Sequence, residues 1–571
     1  MALGAAALAP GRGAAAAEAG VGIELTVAVR QSLHRLQENW LQWVSAFYQD
    51  NAAAAAQSVE AMLATAHGLG MNRLVDLSVG AAARAVQSAA DGNFERAHLA
   101  LATAEKLDPG RPETEFARSR VARLEGSYAA AIAASVRGYQ RIFSTPAAEL
   151  WWRNAVLWGI AVLLLASALF VLVEAAMKGS AVYLDLEGRL AKRFSPPVAH
   201  LLALVVVFWP LALPGGPIFL LLFWSLLLFG YLSASERVVT GGIWLLLGLA
   251  PFAVAAEERQ IGLLLSPPMR AIANLEQERF YGGLFSDLQV LRGMLPEEPA
   301  VVELFGDVHR GLGQWEYARL LYRNVIEREP ENRAALINLG AHYFRRGEFA
   351  TAVDYFRRAS SIQPPIASAF YDLSQAYSES YQFEESKQAL SQAKALDPDA
   401  VDRWMGTPQG VDRLLTLDGG LARRDEIRER LRAAWRESPT VHVARIEAIR
   451  RWAGLAVVGL VAAAAGVLWL LRRKSGYSEP VSWLSWRSNG FSRWLRALLP
   501  PLSAAELGEG FPAFGGILLL AALGMLPWVG RVGVDLGLGI DSGGLLPSLA
   551  ALVAFSVYLA LRVRAELAQG D

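Results

Sequence analysis

The side chains that most often perform chemistry are thinly spread along this chain. Its seven histidines include no pair three or four residues apart, the spacing that places two metal ligands on one helix face. The absence of cysteine excludes thiolate nucleophiles, disulfides and cysteine-type zinc sites. Neither a P-loop nor a G-x-S-x-G nucleophile elbow occurs. We therefore predict that the chain is not an enzyme and holds no cofactor or metal.

Two acidic patterns could still be interpreted as sites. Asp535 precedes the glycine-rich stretch Gly537–Gly544 and Asp541 lies within it, and both could contact a cation. That stretch follows no predicted strand and has no lysine, so a flexible turn outside the membrane is the favoured interpretation. The pair Glu384 and Glu385 falls on the polar face of a predicted helix, where carboxylates are ordinarily solvated.

Long apolar stretches indicate a membrane protein with soluble parts. Hydrophobic residues make up 53% of the chain and charged residues only 19%, below the roughly 25% of soluble domains. We interpret seven stretches as membrane helices: Ala155–Val173, Val198–Leu213, Ile218–Leu232, Val238–Ala256, Trp452–Leu471, Ala513–Val529 and Leu545–Leu561. The second and third are short, so they form either a spanning hairpin, which we favour, or a re-entrant pair. The seven stretches contain almost no ionisable residue, which argues against a pump or channel.

The distribution of basic residues predicts the orientation in the membrane. Lysine and arginine are concentrated in 174–197, in 472–512 and after the last apolar stretch, whereas Pro214–Pro217 has none. Basic loops face the cytoplasm, so both soluble regions are predicted to lie on the opposite side. Equal numbers of acidic and basic residues, 54 of each, give no reason to expect nucleic acid as a partner.

A period of 34 residues organises the region between the fourth and fifth apolar stretches. Prolines recur at this period, and glycines, small residues and large apolar residues recur between them. The proline column is Pro296, Pro330, Pro364 and Pro398; the glycine columns are Gly306 with Gly340 and Gly313 with Gly347; the large apolar column is Tyr322, Phe356 and Leu390. The pattern resembles the tetratricopeptide repeat, a helix–turn–helix unit of that length, strongly over 299–400 and weakly over 263–298.

Elementary packing explains these residue types. A small residue permits close approach of the two helices in a pair, glycine opens the turn, and proline follows the second helix because it cannot continue one. A single pair cannot bury its own apolar face, so repeats stack into a solenoid with a continuous core.

A weaker form of the same period occurs near the N-terminus, where Gly92 and Gly126 are 34 residues apart. The predicted fold class is all-α, with tetratricopeptide-like α-solenoid domains and about seven transmembrane helices. The predicted domains are a disordered tail or remnant export signal (1–23), a degenerate repeat domain (24–150), four membrane helices (151–256), a repeat solenoid (257–400), capping helices that shield the last repeat (401–451) and three membrane helices (452–571). A generic helical bundle stays open for the N-terminal domain.

The resemblance also predicts a binding site, because in such solenoids the first helix of each unit lines a groove. The positions in matching register are Glu303, Asp307, Arg310, Ile337, Ala341, Phe344, Arg345, Tyr371, Gln375 and Ser378. Some members grip a peptide carboxylate with lysine and asparagine, but Glu303 and Asp307 occupy the corresponding positions here and disfavour that mode. The mixed groove would suit an extended or helical protein segment with a basic residue and an apolar anchor.

Repeats, uncharged spans and missing catalytic residues together predict an integral membrane scaffold. Its expected place is a bacterial inner membrane, with the repeat domains in the periplasm. Its expected partners are proteins of an envelope, secretion, pilus or motility assembly, together with membrane lipids and other membrane-helix subunits, but not nucleic acid. Two alternatives stay open: an envelope glycan-transfer enzyme with a repeat domain, and an accessory subunit of a larger membrane enzyme or transporter.

Overall fold

A computed structural model describes residues 27–145, 147–208, 216–406, 414–437, 452, 455–467, 510–529 and 553–554. Several predictions from the sequence lie outside these residues. They are the tail or remnant signal at 1–23, the turn with Asp535 and Asp541, most of the basic segment 472–512, and all but two residues of the last apolar stretch. The domain boundaries and the topology also stay predictions.

The described chain is almost entirely helical, as predicted. In chain order its elements are α1 Val27–Tyr48, α2 Ala52–His67, β1 Arg73–Leu74, α3 Val75–Ala90, α4 Phe94–Leu107, α5 Pro112–Leu124, α6 Tyr128–Phe143, α7 Ala147–Leu190, α8 Pro196–Phe208, α9 Gly216–Phe229, α10 Ala234–Leu264, α11 Pro267–Leu275, β2 Arg279–Phe280, α12 Leu284–Met294, α13 Pro299–Gly311, α14 Trp315–Arg328, α15 Arg333–Arg345, α16 Phe349–Ser361, α17 Ala367–Glu379, α18 Phe383–Leu396, α19 Pro398–Gly406, α20 Gly419–Ala422, α21 Arg424–Glu437, α22 Leu455–Val467 and α23 Gly510–Val529.

These elements divide into two compact units. The first takes the described residues within 1–114 and 263–438, and the second takes those within 115–262 and 439–571.

Three helix pairs of the first unit are the predicted repeats. They are α13 with α14, α15 with α16, and α17 with α18. Gly313 and Gly347 end the first helices of two pairs with φ of +72° and +78°, a left-handed conformation that glycine adopts without strain. Pro330, Pro364 and Pro398 follow the second helices by two or three residues, which places them at equivalent corners of successive pairs. The 34-residue period therefore corresponds to stacked helical hairpins.

The glycine column has a more specific role than close backbone contact. A Cβ on Gly306 would stand 2.6 Å from the Tyr322 ring, and a Cβ on Gly340 would stand 2.6 Å from the Phe356 ring. Both rings belong to the second helix of the same pair and are fully buried. The small residue thus permits the close approach of the two helices by leaving room for the aromatic ring of the large apolar column.

The N-terminal helices α1 to α4 belong to the same unit as the repeats. β1 pairs in parallel with β2, Arg73 beside Arg279 and Leu74 beside Phe280. The Arg279 Nε donates to Asp108 Oδ1 at 3.1 Å, and Asp108 is fully buried. Because a buried carboxylate needs such a partner, this pair fixes the end of α4 against β2.

The polar helix α21 lies at the opposite end of the repeats from the one predicted. Ile427 and Leu431 are buried in the core that includes Leu288 and Leu291 of α12. Arg428 and Arg424 pair with Glu276, at 2.6 and 2.5 Å, just beyond α11. The helix therefore covers the first repeat, and the prediction that it shields the last repeat was wrong.

The second unit contains the apolar helices together with α6 and most of α5. Within the described residues, two helices are long and apolar enough to cross a membrane, Ala148–Leu190 in α7 and Ala234–Leu264 in α10. Shorter apolar helices occur at Pro196–Phe208, Phe219–Phe229, Leu455–Val467 and Pro512–Leu523. The prediction of about seven membrane helices is thus supported for two of them, at the first and fourth apolar stretches.

The apolar helices share one core, which contains Phe170 of α7, Trp244 of α10, Val458 of α22 and Ile517 of α23. Next to it, Lys178 of α7 pairs with Glu174 at 3.0 Å and also with Glu236 of α10. All three residues flank the apolar stretches. The end of the first stretch and the start of the fourth are therefore at the same level.

Candidate peptide-binding groove

The first helices of the three repeats hold a segment of the chain itself. We call the surface formed by α13, α15 and α17 the groove, and residues 414–420, Leu-Leu-Thr-Leu-Asp-Gly-Gly, the groove-bound segment. The segment follows α19 in sequence and turns into the short helix α20 at Gly419. The predicted groove is therefore already occupied.

Hydrogen bonds to the backbone of the groove-bound segment come from one side chain on each helix. Asp372 Oδ1 of α17 accepts from the Leu415 N–H at 2.9 Å. Asn338 of α15 accepts from the Leu417 N–H at 3.0 Å and donates to the Leu417 carbonyl at 2.8 Å. Asp307 Oδ2 of α13 accepts from the Gly420 N–H at 2.8 Å. These contacts satisfy backbone N–H and C=O groups, which every residue type except proline offers in full.

Leucine side chains fill the spaces between these hydrogen bonds. Leu414 and Leu417 pack against the core of the second and third repeats, which includes Ile337 and Ala341. Leu415 packs against a different cluster that contains Tyr371 and Val401. The segment thus anchors leucines in two apolar clusters of the groove, which adds burial to the backbone contacts.

The end of the groove-bound segment requires glycine twice. A Cβ on Gly419 would overlap the Glu303 carboxylate and the Ala334 Cβ, and a Cβ on Gly420 would overlap the backbone of Leu304. Since a backbone cannot move aside as a flexible side chain can, the Gly420 position excludes every other residue.

Two arginines fix the polar side chains at this end. Arg310 donates to the Thr416 hydroxyl and to the Asp418 carboxylate. Arg423, which follows the segment, pairs with Glu329 at 2.7 Å, with Glu426 at 2.8 Å and with Glu303 at 3.3 Å. These charge-assisted contacts hold the chain where it leaves the groove.

Burial under the segment raises the pKa values of three carboxyl groups in the groove. Desolvation raises the pKa of Asp307 to about 8, although Arg310 and the Gly420 N–H oppose the shift. Desolvation also raises the pKa of Asp372 well above its usual range, and its Oδ2 has no hydrogen-bond partner among the described residues. The pKa of Glu303 is raised for the same reason. Burial under the segment therefore shifts the pKa of all three carboxyl groups upward.

The residues predicted for the groove fall into two groups. Glu303, Asp307 and Arg310 contact the segment or the residues that follow it, and Ile337, Ala341 and Tyr371 form its apolar floor. Phe344 instead packs on Phe349 with ring centres 5.1 Å apart, and the Arg345 guanidinium lies over Trp315. Gln375 is half-buried and Ser378 is exposed.

The sequence-based prediction omitted two residues that hold the segment, Asn338 and Asp372. They are 34 residues apart and so occupy the same position in successive repeats. Both are fully buried. A polar residue repeated at one register of an otherwise apolar helix face is the signal that identifies them, because a buried amide or carboxyl needs a hydrogen-bond partner.

The raised pKa of Asp307 predicts how stability depends on pH. The folded chain holds this proton up to about pH 8, whereas the unfolded chain releases it near the ordinary value of 3.8. The contribution of Asp307 to the free energy of unfolding is therefore complete below pH 3.8 and is lost as the pH rises toward 8. In thermal melts, the wild-type chain should lose stability relative to Asp307→Asn as the pH rises from 5 to about 8. A constant difference between the two proteins would contradict the assignment.

Comparisons with known proteins agree with the repeat pattern. Residues 304–365 and residues 367–400 each match a family described as the tetratricopeptide repeat. No curated protein is detectably similar in sequence to the chain. A crystal structure of the APC/C hetero-tetramer Cut9–Hcn1 aligns with 85% of this chain and 96% of its own, at 12% identity and a TM-score of 0.21, which is too low to establish a shared fold.

The matched residues span the three helix pairs from α13 to α18 and include the groove. The fold there is a solenoid of stacked hairpins, and such repeats support a role in protein–protein interaction. Residues 304–365 and 367–400 of this chain are therefore tetratricopeptide repeats.

Proposed function

We propose that this protein is an integral membrane scaffold that binds protein partners through the groove of α13, α15 and α17. Its place is a bacterial inner membrane, with the repeats on the periplasmic side. The partners belong to an assembly of the cell envelope, such as a secretion, pilus or motility machine.

One observation carries this proposal. Asp307, Asn338 and Asp372 bind main-chain groups of residues 415–420, and leucine side chains of the same segment pack against the apolar clusters of the groove. Main-chain binding with alternate apolar pockets is a general mode of peptide recognition. The contacts made by residues 414–420 support the proposal that the groove can bind a partner segment in the same way.

The membrane part of the proposal is supported by α7 and α10. Both are long enough to span, and the contact of Lys178 with Glu174 and Glu236 places the start of the basic segment 174–197 level with the start of the fourth apolar stretch. Under the rule that basic loops stay in the cytoplasm, that level is the cytoplasmic surface.

Cysteine labelling tests the proposed topology, because the chain has no cysteine of its own. In intact cells, a membrane-impermeant maleimide should modify Ser378→Cys, an exposed position on α17, but not Arg193→Cys, an exposed position after α7. After lysis both should react. Labelling of Arg193→Cys alone in intact cells would reverse the orientation.

Photo-crosslinking tests partner binding. A benzoylphenylalanine at Ser378, beside the groove, should give discrete crosslinked products in cells. The same residue at Leu320, which is 54% exposed on the outer helix α14, serves as the matched control and should not give them. Identical products from both positions, or none from Ser378, would contradict binding through the groove.

A further inference from the structure

The contacts of the groove-bound segment indicate which side chains the groove can bind. Its sequence places leucines at 414, 415 and 417, a threonine and an aspartate on Arg310, and two glycines where the groove has no room for a side chain. Each of these features corresponds to a defined contact. The groove therefore contacts side chains of the segment as well as its backbone.

The strictest requirement is the pair of glycines. Other positions could exchange one aliphatic side chain for another at modest cost, because volume-conserving apolar substitutions are usually tolerated. Gly419 and Gly420 tolerate none, since a Cβ would overlap Glu303, Ala334 or Leu304. A partner must therefore carry glycine at the two positions that correspond to Gly419 and Gly420.

The contacts of the groove-bound segment could be supplied equally well by another chain. They comprise three main-chain sites, apolar packing and one arginine, and none of them needs a covalent link to the repeats. While the segment is in place, the buried Asp307, Asn338 and Asp372 are closed to any other ligand. A partner can bind only where the segment has left.

We propose that the partner presents an extended Leu-Leu-x-Leu-Asp-Gly-Gly-like segment, and that residues 414–420 compete with it by occupying the groove in cis. This inference rests on the proposed function and specifies its partner. The apparent affinity for the partner is then the intrinsic affinity multiplied by the fraction of molecules with an open groove. The protein is a scaffold whose binding site is closed until a matching segment displaces its own.

The test uses the full-length protein in detergent and a fluorescent peptide of the sequence LLTLDGGLA, residues 414–422. In Gly420→Val the cis segment cannot seat, so the peptide should bind this variant at least about tenfold more tightly than wild type by fluorescence anisotropy. Adding Asn338→Ala to that variant should abolish the gain. A peptide with valine at the Gly420 position should not bind either protein.

A second substitution that weakens binding of the cis segment controls for the possibility that Gly420→Val unfolds the protein. Leu417→Ser removes one apolar anchor from the cis segment without adding a steric overlap, and it should also increase peptide binding. Equal binding of the glycine and valine peptides to both opened proteins would overturn the proposal. So would a wild-type dimer, detected by light scattering, that Gly420→Val abolishes, because the occupant would then be a second copy.

The result separates the inference from the proposed function. If crosslinks form from position 378 but the glycine peptide fails to bind either opened variant, the partner chemistry is wrong while the scaffold proposal stands. If the peptide binds as expected but no crosslink forms in cells, the groove chemistry stands and the scaffold proposal fails.

Discussion

Replacing Gly420 by valine is expected to release the groove-bound segment and to destabilise the repeat unit by about 2–3 kcal/mol, in the range of overpacked cores. The added side chain would overlap the backbone of Leu304 in α13. The Gly420 hydrogen bond to Asp307 would be lost with it. Limited proteolysis with trypsin should then cut faster after Arg423, which the wild-type chain holds against Glu329.

Gly293→Val provides the matched control for this substitution. Gly293 is exposed on helix α12, and a Cβ there would meet no atom within 4 Å. Valine is a better helix former than glycine, so the free energy of unfolding should change by less than about 0.5 kcal/mol. Equal effects of the two substitutions would mean that residues 414–420 do not depend on a close fit to α13.

Replacing Phe356 by alanine should destabilise the repeat unit by about 3–5 kcal/mol, the range measured for large cavities in cores. Its ring is fully buried in α16 and fills the space left by Gly340 of α15. Removing the ring therefore leaves a cavity between the two helices of the central repeat. Chemical denaturation followed by circular dichroism measures the loss.

Phe383→Ala tests the same chemical change at an exposed site. Phe383 begins α18 and is 55% exposed, so its replacement should cost under about 0.5 kcal/mol. A comparable loss at both positions would show that the repeats do not share the stacked core described for the tyrosine and phenylalanine column.

The repeat architecture was predictable because its causes are local and periodic. Gly313 and Gly347 end helices through their backbone conformation, and the prolines follow at a fixed distance. Each unit must bury the same apolar face, so each repeats the same residue types. The pairing of Gly340 with the Phe356 ring, by contrast, could not be predicted, because the sequence period relates equivalent residues and not spatial neighbours.

The occupant of the groove was not predictable from side-chain patterns. Residues 414–420 are bound mainly through main-chain N–H and C=O groups, which every sequence possesses. The same limit applies to α21, where the amphipathic spacing predicts a helix but does not identify the surface that covers Ile427 and Leu431. That surface includes Leu288 and Leu291 of α12, which lie more than a hundred residues earlier in the sequence.

Apolar composition predicted the membrane helices only in part. Apolar composition predicted the long helices α7 and α10. The second and third stretches are described as helices of 13 and 14 residues, fewer than the roughly 17 that a span needs, and residues 209–215 between them are outside the described chain.

Hydrogen exchange at the amides of Leu415, Leu417 and Gly420 tests the central claim most directly. These three N–H groups donate to Asp372, Asn338 and Asp307, so in the full-length protein they should exchange far more slowly than in the free peptide. Asn338→Ala should accelerate the exchange at Leu417 most. Exchange of all three amides at free-peptide rates in the wild-type protein would contradict an occupied groove.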